Sequence, residues 1–173
     1  MQVFRHLPAA NAACAVTIGN YDGLHRGHQK ILETLIFESK KRYIETAVIT
    51  FDPHPKEFFS PSSAPARIIS LREKLEFFDK LKIDRVYIIK FNKKFSEIKS
   101  YEFINILKLI KAKLVVVGED FKFGNRREGT INDISKELTE VIGVKEVVSG
   151  SQRISSTTIR QSLSEGDFLR VEL

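Results

Sequence analysis

The sequence predicts an α/β domain built on a doubly wound, mainly parallel five-stranded sheet with helices on both faces. Three observations lead there. Short apolar runs alternate with amphipathic stretches along the whole chain, the pattern of a parallel sheet with right-handed crossovers. Glycine-bearing turns at 19–27 and 118–129 follow two of those runs, at the strand ends where sheets of this class bind ligands. A length of 173 residues suits one domain with a sizeable core.

The elements follow in order. AVTIGN (15–20) reads as a short buried strand. From Arg26 to Arg42, Ile31, Leu32, Leu35 and Ile36 share one helical face, and Lys40, Lys41 and Arg42 complement the dipole at that helix's C-terminus. IETAVITF (44–51) is a second strand, stopped by DPHP, and SSAP with its neighbours (60–66) reads as a mobile loop. Ser70 opens a helix with Leu71, Leu75 and Phe78 on one side. RVYIIK (85–90) is a third strand, YEFINILKLI (101–110) a helix and AKLVVVG (112–118) a fourth strand. Thr130 and Asp133 form a capping box before another helix. VKEVVS (144–149) is the fifth strand, and a last helix starts near Ser155 or Ser156, with Ile159 and Leu163 toward the core.

Composition narrows the function classes. Lys and Arg outnumber Asp and Glu by 28 to 22, a net charge of +6, which suits an anionic ligand as well as a plain basic surface. The single cysteine, Cys14, excludes an intrachain disulfide, and a reducing compartment, the cytoplasm, is the expected location. The N-terminus lacks the apolar core of a signal peptide, and no apolar run reaches the roughly 18 residues of a membrane span.

The stretch TIGNYDGLHRGHQKIL (17–32) carries the chemistry. Gly19, Gly23 and Gly27 permit a tight turn and close approach of a ligand. The helix that follows offers free N–H groups and a partial positive charge. His25, Arg26, His28 and Lys30 add cations at that same end, where each opposes the dipole by about 0.3–1 kcal/mol. The placement makes sense when a phosphate occupies the helix start. The stretch matches neither the P-loop pattern nor the dinucleotide G-x-G-x-x-G. ISSTTIRQSL (154–163) repeats the anomaly: a serine cap, then Arg160 in the first turns. It reads either as a plain capped helix or, paired with the first motif, as a phosphate clamp.

GNYDGLHRGHQ, DPHP, VGEDFKFGNRREG and ISSTTIR occur in that order. Together they resemble the N-terminal FMN adenylyltransferase (FAD synthetase) module of bacterial bifunctional riboflavin kinase/FAD synthetases. That module is a Rossmann-like member of the HxGH nucleotidyltransferases. The resemblance spans about residues 14 to 167. It implies transfer of AMP from ATP to FMN, giving FAD and pyrophosphate, with Mg²⁺. It also implies that His25, His28 and Arg160 are catalytic. Gly19, Asn20, Asp22, Gly27, Ser156, Thr157 and Arg127 would bind ATP. Pro53, His54, Pro55, Asp120 and Phe123 would lie on the flavin side.

Some readings of the residues stay open. Pro53 and Pro55 form either a wall for a planar ring or a rigid turn. Phe58 and Phe59 are lid aromatics or core. FKFGNRREG suits a nucleic-acid surface as well as a nucleotide site, and the family loop favours the nucleotide. No dedicated metal cage is seen, so Mg²⁺ is expected on substrate phosphates and water. The small molecules ATP and FMN are the expected partners, with no nucleic acid and no membrane; oligomeric state is not legible. Nothing in these residues supplies the β-barrel that phosphorylates riboflavin in the similar proteins, so a single adenylyltransferase-like domain without kinase activity is expected. The alternatives are another HxGH transferase with a different phosphate-bearing acceptor and a non-catalytic nucleotide- or RNA-binding remnant.

Overall fold

The protein is described by a computed structural model over residues 1–137, 140–149 and 152–168. The chain opens with β1 (Gln2–Phe4) and β2 (Cys14–Ile18), followed by α1 (Arg26–Arg42) and β3 (Glu45–Phe51). Two helices, α2 (Pro55–Phe59) and α3 (Leu71–Lys80), lead to β4 (Arg85–Ile89). Next come α4 (Lys93–Ser96), α5 (Ser100–Leu109) and β5 (Ala112–Gly118). A small antiparallel pair, β6 (Lys122–Phe123) and β7 (Gly129–Thr130), precedes α6 (Ile131–Glu137) and β8 (Val141–Val144). A second antiparallel pair, β9 (Val148–Ser149) and β10 (Gln152–Arg153), leads into α7 (Ser156–Glu165).

The central sheet is parallel throughout, in the order β1-β4-β3-β2-β5-β8. From β2 the chain moves outward through β3, then returns to β5 on the opposite flank. The switch point therefore lies between β2 and β5, as the two glycine-bearing turns require. The sheet has six strands rather than five. The extra one, β1, is three residues long and pairs only with β4, Gln2 opposite Arg85; so short a strand has no periodicity to read. The predicted strand at 144–149 is also corrected. The sheet takes Val141–Val144, and Val148–Ser149 turns into the outer hairpin, because Lys145 and Glu146 interrupt the apolar run.

Both faces of the sheet are covered. Val16, Ile18, Ile49, Val115 and Val117 pack with Phe103 and Leu107 of α5 and Ile134 of α6. The alternate residues Ala15, Val48, Val86 and Val116 pack with Leu32 and Leu35 of α1 and Phe78 of α3. Each strand thus alternates between two dry layers, which explains its continuous apolar run. Ser70 caps α3 through Glu73, its Oγ accepting from the Glu73 amide at 3.2 Å. Asp133 accepts from both the amide and hydroxyl of Thr130, at 2.9 and 2.8 Å, as predicted for the start of α6. One packing expectation fails. Leu163 is 40% exposed, and Ser162 is the buried residue of α7. Polar contacts at the start of α7 fix its orientation, and they turn Leu163 outward.

Phe78 is fully buried and meets the Tyr21 ring edge-on, with centroids 5.5 Å apart. It links α3 to the turn after β2. Phe78→Ala should destabilise the fold by about 3–5 kcal/mol in denaturant unfolding; a loss below about 1 kcal/mol would show that this layer repacks freely.

Candidate active site

The turn leaving β2 is built from inside. Gly19 N–H still donates to Ile49 C=O at 3.0 Å. Tyr21 and Leu24 then adopt left-handed backbone, φ 52° and 42°, as does Gly23 at 78°. Two non-glycine residues hold that conformation because both are buried, and the Tyr21 hydroxyl lies 2.6 Å from Thr17 Oγ1. The reversal delivers His25 to the N-terminus of α1. His25 caps the helix, its Nδ1 accepting from the His28 amide at 3.4 Å. The Arg26 and Gly27 amides have no helical partner, as in any first turn.

The two imidazoles stack, with centroids 3.7 Å apart and planes 21° off parallel. Gly27 makes the stack possible: a Cβ there would sit 3.1 Å from His25 Nδ1. His25 is held down to a pKa of about 4, chiefly by burial and then by the charge of Arg153. His28 is held to about 3 by burial, by His25 and by Lys74. The sequence reading of two cationic histidines is therefore corrected. Both are neutral at pH 7, and His28 Nδ1 is buried without a hydrogen-bond partner among the described residues. Fixed charge comes instead from Lys74, Arg153 and Arg160 around them.

Asp22 joins the two motifs. It is 3% exposed. Its Oδ1 accepts from the Ile68 and Ile69 amides at 3.0 and 3.2 Å, and its Oδ2 pairs with the Arg160 guanidinium. The Ser156 hydroxyl donates to Asp22 C=O at 2.8 Å. Arg160 also donates to Ala66 C=O at 2.7 Å and Ser156 C=O at 3.2 Å. His25, His28, Ser156 and Arg160 thus converge on one turn. The cap of α7 is Ser155, which accepts from Thr158 N–H at 3.2 Å. Thr157 lies exposed on the first turn of the same helix. The 60–69 loop is fastened at its far end, since Arg67 also bridges Glu57 at 2.5 Å and Asp52 at 3.0 Å.

Beside this turn opens a cleft of about 690 Å³. Gly19, Asn20, His54, Pro55, Asp120 and Phe123 line it. Arg127, expected with the nucleotide phosphates, lines this cleft too, on the side of the β6–β7 pair. Pro53 does not line it; it stays in the turn between β3 and α2. His54 caps α2, its Nδ1 accepting from Lys56 N–H at 3.0 Å, so DPHP is a helix start as well as a rigid turn. Phe123 stacks on Phe121 with centroids 5.7 Å apart. Gly129 gives its ring room, since a Cβ there would lie 2.7 Å from it. Phe59 is 65% exposed and reaches Phe91 at 5.6 Å, on the rim rather than in the core. Asp120 is paired with Arg153 at 2.8 Å.

Sequence reasoning missed Phe51, Phe91 and Phe95, which form the aromatic floor, because they come from three separate elements. It also missed Lys74, 7% exposed, whose ammonium donates to Asn20 C=O at 2.5 Å. Its signal was present: Lys74 lies one helical turn before Phe78, on the apolar face. Among the described residues there is no group of three or more His, Cys, Asp or Glu side chains that could hold a metal ion, and no helix long and apolar enough to cross a membrane.

The depressed imidazoles make stability pH-dependent. The unfolded chain takes up protons near 6.5, whereas the folded chain resists until about 4 or 3. Stability is therefore full above 6.5 and falls as the pH drops below it. Urea unfolding of the parent and of a His25→Asn/His28→Asn double variant should show a clearly shallower acid loss in the variant. Equal slopes would mean the imidazoles are not buried as a neutral pair.

The family model for FAD synthetase matches residues 7–158. A bifunctional riboflavin kinase/FMN adenylyltransferase of Escherichia coli strain K12 is 36% identical over 170 residues, covering 95% of this chain and 54% of the relative. The chain thus spans about half the length of the curated relatives it matches. A crystal structure described as a macrolide-efflux protein from Streptococcus pneumoniae superposes with a TM-score of 0.87, at 26% identity, over 96% of this chain and 59% of that one. The pantoate-beta-alanine ligase of Francisella tularensis, at 15% identity over 92% of this chain and 77% of its own, shares the fold with a TM-score of 0.51. With its two helix-start motifs joined at one turn and the family match running across most of its length, the chain belongs to the FAD synthetase family.

Proposed function

We propose that this chain transfers AMP from ATP to FMN, giving FAD and pyrophosphate. The observation that carries the reading is the stacked His25–His28 pair at a free helix start, beside an aromatic cleft. The FMN phosphate is already an anion, so no strong base is needed. One of its oxygens forms the new bond to the α-phosphorus, the bond to the bridging oxygen breaks, and that oxygen leaves with the electron pair on pyrophosphate. The work left to the protein is alignment and charge stabilisation. Neutral His25 and His28 serve as N–H donors to the phosphate oxygens, with the free amides of the first turn of α1. Arg160 exchanges part of its protein contacts for phosphate, and Gly19, Asn20, Gly27 and Thr157 leave the approach open. Asp22 and Ser156 act on ATP indirectly, as the brace between the two motifs.

The nucleotide enters as its magnesium complex. Asp22 is engaged on both oxygens, so magnesium would be carried by the ATP phosphates and water rather than by this carboxylate, and would supply charge neutralisation there. The flavin ring lies in the cleft against His54, Pro55 and Phe123, with Pro53 stiffening the turn behind them. Asp120 and Arg127 lie at the edge, and Arg127 is assigned here to the flavin side of the nucleotide pair.

Incubating the chain with FMN and MgATP should yield FAD and pyrophosphate, resolved by chromatography. His28→Ala should lower turnover by about 10²–10³. Gly27→Ala should lower turnover, because its Cβ, 3.1 Å from His25 Nδ1, displaces the His25 ring. Full turnover by either variant, or nicotinamide mononucleotide or phosphopantetheine outcompeting FMN as acceptor, would contradict the assignment.

A further inference from the structure

We propose that Lys74 is a positioning residue for adenylyl transfer, its buried ammonium fixing the turn after β2 that leads to the His25–His28 pair. The proposal rests on the adenylyltransferase reading above, but its first readout does not.

A lysine is almost never buried without a carboxylate partner. Lys74 is buried, and no carboxylate of the described residues lies within ion-pairing distance of its ammonium. Its hydrogen bond goes to a neutral acceptor, Asn20 C=O, at 2.5 Å. The nearby carboxylates are taken: Asp22 by Arg160, and Asp52 and Glu57 by Arg67. An ammonium has three donors, and the one described hydrogen bond uses a single one of them. The fold maintains an under-compensated cation here, and nothing in core packing calls for it. The turn it anchors carries Asn20, whose Oδ1 is itself buried without a partner among the described residues, and leads directly to His25.

The groups facing Lys74 are Asp22, Asp52, Glu57 and Arg67, with His28 and His54 feeling its charge in turn. Arginines pair with the carboxylates, and at His28 the named charges, His25 and Lys74, both oppose protonation. Burial, then His25 and Lys74, keep His28 unprotonated, and the cations around it suit a polyanion. A triphosphate would complete the charge balance that the fold leaves open. Because Lys74 acts through Asn20 and the histidines, its loss should fall on the nucleotide and spare the flavin.

The test compares Lys74→Met, which keeps the aliphatic stem, with Lys74→Arg, which keeps the charge. Imidazole NMR titration of the ligand-free chains should show proton binding to His28 roughly three- to tenfold tighter in Lys74→Met, and as in the parent for Lys74→Arg. In FAD synthesis, Lys74→Met should lose about 10- to 100-fold in kcat/KM for ATP with KM for FMN unchanged, and Lys74→Arg should recover most of it. If Lys74→Met does not fold, a folded Lys74→Arg with parental His28 titration supports the assignment, and one with altered titration overturns it. An unchanged His28 titration in folded Lys74→Met, or turnover within about twofold of the parent, also overturns it. A parent chain that makes no FAD would defeat the adenylyltransferase reading while leaving the titration to decide the Lys74–His28 coupling.

Discussion

The candidate site depends on one buried carboxylate. Asp22 lies at the exit of β2, almost without access to water, and both of its oxygens are occupied. A carboxylate in that position is tolerated only when fully paired, and the pairing draws three distant segments together. The 68–69 amides bring the loop before α3, Arg160 brings α7, and the carbonyl of the same residue holds Ser156. Two helix starts 130 residues apart in sequence therefore share one corner of the sheet. The doubly wound topology supplies the place, since β2 and β5 part there, and Asp22 supplies the closure.

The electrostatics of that corner are layered. Neutral imidazoles form the surface a phosphate would meet, stacked closely enough that charging both would be unfavourable. Cations stand around them: Lys74 on the Asn20 carbonyl, Arg160 engaged with Asp22, and Arg153 held by Asp120 and Glu146. The arrangement is that of donors set in advance of a negative charge. Arg153 also spans from the β9–β10 hairpin to the loop after β5, so the rim of the aromatic cleft and the histidine pair respond to the same guanidinium.

Much of this was legible in the sequence because it rests on local signals. The buried strands announce themselves as apolar runs, α1 as a helical stripe ended by three basic residues, and the helix starts as Gly-rich or Ser-rich punctuation. The convergence of His25, His28, Ser156 and Arg160 followed from topology, because parallel sheets gather such turns at one edge. What escaped were features made only by tertiary pairing. β1 exists because β4 offers an open edge. The strand lies at 141–144 rather than 144–149, ended by Lys145 and Glu146 before the hairpin that only tertiary pairing defines. The charge state of the histidines is a burial effect, invisible to a count of basic residues. The phenylalanine floor is assembled from β3, the segment after β4, and α4, which no single window of sequence contains. Leu163 looked like core by spacing alone, and polar fastening of α7 overrode it.

One brace, Asp22, joins two motifs into one candidate nucleotide site. Calorimetric titration of a non-hydrolysable ATP analogue with magnesium, into the parent chain and into Asp22→Asn, tests it most directly. The account predicts one site per chain in the parent, and in the variant a loss of nucleotide binding that leaves FMN binding intact. A parent chain that takes up no nucleotide, or an Asp22→Asn chain that binds it as tightly as the parent, would contradict it.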